Sequence, residues 1–268
     1  MKKFVGDSLL NILATLLITA SMQLILLPII SNYTSEKEFG EIVIIIAILN
    51  SISALIGGSL NNLRLINDKF YDKFIGDFSL ILILSLILGE LIFLGLIYKV
   101  VDPVNLVILL MVLLLMTLRV YFLVYFRLTL SYKNILLHAF VLSIGYLIGA
   151  ILFVILHSFS IAFLLGEIFS IIYLMLKVDK RELTFRRTTN FKKIISDYLN
   201  FAISNIANVL SLYLDRYIVL IILGSKYVSV YFIASLLGKL MSTISTPVAS
   251  VILSYLNKKG KQSFEIIQ

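Results

Sequence analysis

Well inside stretches that are otherwise apolar stand the ionisable side chains of Glu90, Arg119, Glu167, Asp215, Arg216 and Lys239. Inside a bilayer such a group costs a few kcal/mol by insertion scales, so it faces a cavity or a partner. Arg216 and Lys239 are fixed cations that can hold an anion through charge-assisted hydrogen bonds. Asp215 is placed to pair with one of them. Counted from a turn at Lys226, it lies 11 positions before and Lys239 lies 13 after. At 1.5 Å per residue both sit roughly 16–20 Å along antiparallel helices, so an Asp215–Lys239 pair is within reach and Arg216 points elsewhere. The competing reading is a buried ion pair that only positions the hairpin. Glu90 and Glu167 fall near the middle of their stretches and are candidates for ion or proton coupling, or else neutral, hydrogen-bonded packing groups. Arg119 and His138 lie toward the ends of theirs, where a structural role fits and Arg can snorkel.

The elements that must position these groups are transmembrane helices. Of 268 residues, 60% are hydrophobic and 14% charged, against about 45–50% and 25% in an ordinary soluble domain. With a mean hydropathy of +1.04, the composition excludes a soluble enzyme, a disordered tail and a nucleic-acid-binding domain. The chain has no Cys and two His, which removes disulfide frameworks, thiolate metal sites and thiol nucleophiles. There is no nucleotide-binding loop and no catalytic triad motif, so no cofactor or nucleotide chemistry is expected and energy must come from a gradient. Eight stretches approach the roughly 20 apolar residues that a bilayer crossing needs: 9–31, 39–60, 78–98, 104–126, 135–156, 158–176, 197–223 and 228–256. Backbone groups in lipid must bond internally, which makes these helices. The first flows straight into the second and has no cleavage site, so it is not a signal peptide.

Lys and Arg set the orientation. Alternate ends and loops carry 17 of them and the intervening loops carry three, with three more inside spans. Both termini are therefore expected in the cytoplasm, and the +8 net charge reads as topology charge beside anionic lipid rather than a nucleic-acid footprint.

Two stretches resemble each other. Lys2-Lys3-Phe4-Val5-Gly6-Asp7 opens the chain, and Lys192-Lys193-Ile194-Ile195-Ser196-Asp197 enters the seventh span at an offset of 190. Glu38-Phe39-Gly40-Glu41 and Tyr227-Val228-Ser229-Val230 follow at 189. Six spans apart, the copies would be parallel repeats about an axis along the membrane normal. The expected organisation is a six-helix lobe over 1–176, a basic cytoplasmic linker over 177–193, and a partial second lobe over 194–268. Gly57-Gly58 and Pro247 are expected to allow close packing or a kink.

Residues 28–41, Pro28-Ile29-Ile30-Ser31-Asn32-Tyr33-Thr34-Ser35-Glu36-Lys37-Glu38-Phe39-Gly40-Glu41, are similar to the first hairpin of polysaccharide repeat-unit flippases. These are the O-antigen and capsule exporters of the multidrug/oligosaccharidyl-lipid/polysaccharide exporter superfamily. Leu214-Asp215-Arg216-Tyr217, with Ile222-Leu223-Gly224-Ser225 and Val228-Ser229-Val230-Tyr231, resembles that family's seventh-to-eighth helix hairpin. The resemblance covers the chain in hydropathy and these two hairpins in residues. It implies translocation of undecaprenyl-diphosphate-linked oligosaccharides by alternating access in the bacterial cytoplasmic membrane. Arg216 and Lys239, with Asp215, would then meet the substrate's diphosphate, and a polysaccharide polymerase is a candidate partner beside membrane lipid. Family members carry twelve to fourteen spans in two lobes; this chain matches one lobe and one hairpin. The expectation is an incomplete transporter: a fragment, a remnant, or a chain completed by an oligomer or second subunit. Runners-up are a peptidoglycan-precursor flippase or a drug exporter of the same superfamily. The enzyme alternative is a membrane-embedded glycosyltransferase or polymerase, which would need a larger polar outer loop than 32–38, 99–103, 157 or 224–227 provides.

Overall fold

The computed structural model describes residues 2–67, 71–242, 251–252 and 254–255. All regular structure among them is helical, and seven helices are long and apolar enough to cross a membrane: the chain is an all-α, multi-pass membrane protein. Helix α1 comprises Lys2–Thr19, a π-helical segment Ala20–Leu26, and Leu27–Tyr33; α2 comprises Glu36–Ser53, a second π-segment Ala54–Gly58, and Ser59–Ile66. Then follow α3 (Tyr71–Ile97), α4 (Pro103–Leu128), α5 (Tyr132–Leu156), α6 (Phe159–Lys177), α7 (Phe191–Leu223) and α8 (Ser225–Ser242).

The boundaries have local causes. Pro28 has no N–H for the Leu24 carbonyl and its ring crowds that turn, so the ladder just before it loosens into the π-segment. Ser35 starts α2 with a capping box: its hydroxyl accepts from the Glu38 N–H at 3.2 Å, and Glu38 accepts from the Ser35 N–H at 2.9 Å. Asp102 caps α4 ahead of Pro103, accepting from the Val104 and Asn105 N–H groups at 3.1 Å. Asn105 holds the Asp102 carboxyl below the usual aspartate range. Gly224, at φ +91°, turns α7 into α8 in one residue.

Helix α7 is longer than the expected span, because the basic-aromatic stretch from Phe191 continues into it as helix. Helix α8 is described to Ser242; residues 251–252 and 254–255 are helical again, and the rest of the span expected to 256 lies outside the described residues, as do Pro247 and the tail lysines 258–261. Tyr33 and Leu223 end the first and seventh helices 190 residues apart, and Glu36 and Ser225 start their partners 189 apart, the offsets of the sequence repeat.

Two apolar clusters hold the bundle. One gathers Leu26, Phe39, Val43, Phe93, Leu109 and Phe232 near the α1–α2 and α7–α8 turns. The other gathers Leu60, Phe78, Tyr121, Phe126, Ala139 and Leu174 toward the end that bears Arg64, Arg127 and Lys133, called here the basic end. In lipid, helices meet where small side chains let backbones touch. The Gly145–Gly149 face of α5 does this against α6, where a Cβ at Gly149 would strike the Ala162 backbone. Gly57 likewise admits α4: a Cβ there would stand 2.9 Å from Val120. Exposed faces such as Leu84, Leu88 and Leu91 of α3 are those of a helix whose solvent is hydrocarbon.

The expected linker is strapped to the basic end. Glu182 is 2% exposed and pairs with the fully buried Arg64, whose guanidinium lies 4.0 Å above the Tyr121 ring and donates to the Tyr121 carbonyl at 2.8 Å. Six residues on, the Thr188 N–H donates to buried Asp77 at 2.8 Å.

Candidate functional site

The candidate site is built where the two hairpins meet. The first turns of α2 and α8 cross so closely that Gly40 has no room for a Cβ beside the Ser225 carbonyl. Phe39 meets Phe232 edge to face with ring centroids 5.8 Å apart, and Lys226 reaches Glu36 at 3.2 Å. Deeper in, α7 leans on α2. The Tyr217 and Ser51 hydroxyls lie 3.1 Å apart, and Asn205 donates at 3.3 Å both to the Ala54 carbonyl and to the Ser59 hydroxyl. The Ala54 carbonyl opens the π-segment of α2, where the shifted ladder leaves room for an outside donor.

Arg216 sits inside this junction and is 6% exposed. Its guanidinium lies 5.1 Å from the Phe232 ring and 5.6 Å from the Tyr213 ring, an aromatic surround that stabilises a cation without neutralising it. Among the described residues it has no ion pair, and its Nε has no hydrogen-bond partner. Asp215 turns the other way: it accepts from the Tyr231 hydroxyl at 2.8 Å across the α7–α8 hairpin and from the Arg216 N–H at 2.9 Å. The cross-hairpin contact expected of Asp215 is therefore made in part by Tyr231, eight positions before Lys239. The Lys239 side chain lies outside the described residues, and the expected Asp215–Lys239 pair with it. Tyr217 and Ser51 line a cavity of about 520 Å3 between α2, α3 and α7, whose other walls are aliphatic apart from Glu41 and Ser225.

The two acidic candidates of the first six helices have opposite surroundings. Glu167 on α6 is 1% exposed and fully engaged: Arg119 donates through Nε at 2.7 Å and Nη2 at 3.1 Å, and the Tyr146 hydroxyl donates at 2.9 Å. This fork ties α4, α5 and α6 together, and His138 on α5 adds a 2.7 Å bond to Ser170 on α6. Arg119 thus turns inward to an acid instead of snorkelling to a helix end. The sequence held the signal, since one acid and one base in neighbouring spans must find each other in an apolar medium. Glu90 on α3 is half-buried, and neither carboxyl oxygen has a hydrogen-bond partner among the described residues. It borders a groove of about 560 Å3 between α3 and α4, with walls such as Leu91, Leu94, Leu110 and Met111. Among the described residues no cluster of His, Asp and Glu has the makings of a metal site.

No protein-family model, no curated protein and no solved structure matches this chain. The fold and the junction define its class, a polytopic helical membrane protein with a buried arginine that makes no ion pair among the described residues.

Proposed function

We infer that the chain acts in translocating undecaprenyl-diphosphate-linked oligosaccharide repeat units across the cytoplasmic membrane, by alternating access, for O-antigen, capsule or exopolysaccharide synthesis. The observation that carries this reading is Arg216. A guanidinium nine-tenths buried, framed by rings and making no ion pair among the described residues, with Asp215 turned to Tyr231, is an incompletely balanced charge. Burying an uncompensated charge is costly, and an anionic ligand removes that cost. The diphosphate of a lipid carrier is such an anion, and its isoprenoid tail suits the aliphatic walls of the neighbouring cavity.

Two further features support the reading. The hairpins that resemble the flippase family are the two that pack against each other, at Gly40 and Ser225. Glu90, with its unbonded oxygens, offers a carboxyl for proton coupling, whereas the oxygens of Glu167 are already taken. Lys239 joins Arg216 in the proposal as a second cation on α8. The 17-to-3 distribution of basic residues supports cytoplasmic termini.

The test is binding. The chain in nanodiscs is titrated with an undecaprenyl-diphosphate-linked sugar and with the same lipid lacking the diphosphate. Only the first should bind, and Arg216→Ala should weaken it about tenfold, the worth of one hydrogen bond to a charged group. Arg216→Lys should restore part of the loss. Equal binding of both lipids, or no effect of Arg216→Ala, would overturn the assignment.

A further inference from the structure

The strap at the basic end does more than a topology loop requires. Positive-inside orientation depends on how many Lys and Arg a loop carries and not on any fixed shape. Here the shape is fixed. Glu182 is buried on Arg64 at one point of the strap, and Thr188 is bonded to buried Asp77 at another. Between them the backbone of Arg186 presses on Gly76, where a Cβ would collide with it. Each anchor sinks a carboxylate into the protein, which is expensive unless the group is paired and hydrogen-bonded.

What the anchors hold in place is a cavity of about 650 Å3 bordered by Lys73, Arg181, Arg186, Arg187 and Thr189, with no acidic side chain among the described residues of its wall. Asp179 takes up Arg181 at 2.8 Å. Lys73, Arg186 and Arg187 have no ion pair among the described residues; Lys73 lies 6.0 Å from the Phe74 ring and Arg187 lies 4.9 Å from the Phe191 ring. Three cations converge on one half-open space at the head of α3, where a membrane helix begins.

We propose that this cavity is a binding site for a phosphate-bearing anion, held by Lys73, Arg186 and Arg187. Planar guanidinium groups match phosphate oxygens in pairs and the ammonium adds a point charge. The volume takes a phosphate together with a glycerol or a second phosphate, within the size range of small-molecule sites. Two sources share that chemistry: the headgroup of an anionic lipid in the adjoining leaflet, and a soluble phosphate or diphosphate. The site stands apart from Arg216 and does not depend on the identity of the transported molecule.

The experiment uses the whole chain and two probes: phosphatidylglycerol in nanodiscs, scored by native mass spectrometry against phosphatidylcholine, and inorganic pyrophosphate in neutral detergent, scored by calorimetry. Three proteins are compared with wild type. One is Lys73→Ala/Arg186→Ala/Arg187→Ala. The second, Lys177→Ala/Lys180→Ala/Lys192→Ala, removes as many charges from the same region outside the cavity. The third is Thr188→Val, which keeps every cation and the backbone bond but removes the second bond of that anchor, from the Thr188 hydroxyl to the Asp77 carboxylate. Affinity should fall about tenfold or more in the cavity triple and should fall in Thr188→Val, and it should hold in the charge-matched triple. Pyrophosphate binding identifies a soluble ligand, and retention of phosphatidylglycerol alone identifies a lipid headgroup; either supports the site. Binding of neither probe, or equal loss in both triples, overturns it. Arg216→Ala should leave both readings unchanged, which separates this outcome from that of the proposed transport function.

Discussion

Two buried arginines of the membrane interior show how surroundings divide one residue type into two tasks. Arg119 is met by Glu167 with two hydrogen bonds, and Tyr146 takes up the remaining carboxylate direction. Arg216 is met by rings, with Asp215 next to it in the chain but no ion pair to its guanidinium among the described residues. The first arrangement is a completed structural fork; the second awaits an anion. Removing one partner of a buried pair leaves an uncompensated charge and costs about 3–5 kcal/mol, whereas replacing both with apolar groups costs far less. Glu167→Gln should therefore lower the unfolding temperature in detergent markedly, and Arg119→Met with Glu167→Leu should recover most of it. An unchanged melting temperature in Glu167→Gln would free that carboxyl for coupling and remove it from the scaffold. Sequence reading singled out Glu167 and Arg119 separately but not their union, because spacing along the chain says nothing about which spans adjoin.

The helices themselves were legible from hydropathy and their turns only as short gaps such as 32–38, 99–103 and 224–227; the turn expected at Lys226 falls at Gly224, and Lys226 lies within α8. Less visible were the two π-segments. Pro28 announces the first through its missing N–H, but the second rests on Ala54–Gly58, where no single residue type requires it. It matters all the same, since its first carbonyl receives Asn205 from α7. The crossing of α2 over α8 was also hidden, because Gly40 reads as an ordinary small residue until Ser225 is placed against it. The hairpin turns carry the topology. The chain has no native Cys, so Lys37→Cys and Tyr227→Cys, at exposed positions that spare the Ser35 cap, can be labelled without background. Both should react with an impermeant maleimide on intact cells, and Asn190→Cys should react only after permeabilisation. The reverse pattern would invert the orientation drawn from the basic residues.

At the scale of the molecule, composition alone carries the architecture: apolar all round, charged at the loops, with helix as the one kind of long regular element among the described residues. What composition could not carry is the strap. Glu182 and Asp77 sit among ordinary polar residues in the sequence and become anchors only when α2, α3 and the strap come together. The bundle has two electrostatic features, a basic cavity at one end and, where the paired hairpins meet, a buried Arg216 without an ion pair among the described residues. The central claim is that this bundle moves a diphosphate-linked glycolipid between leaflets. The most direct measurement reconstitutes the chain in proteoliposomes bearing a fluorescent undecaprenyl-diphosphate-linked oligosaccharide and follows its exposure to an impermeant quencher. The protein should move the inner-leaflet pool outward faster than empty liposomes do, with the rate falling about tenfold in Arg216→Ala. A wild-type rate equal to that of empty liposomes would contradict the claim.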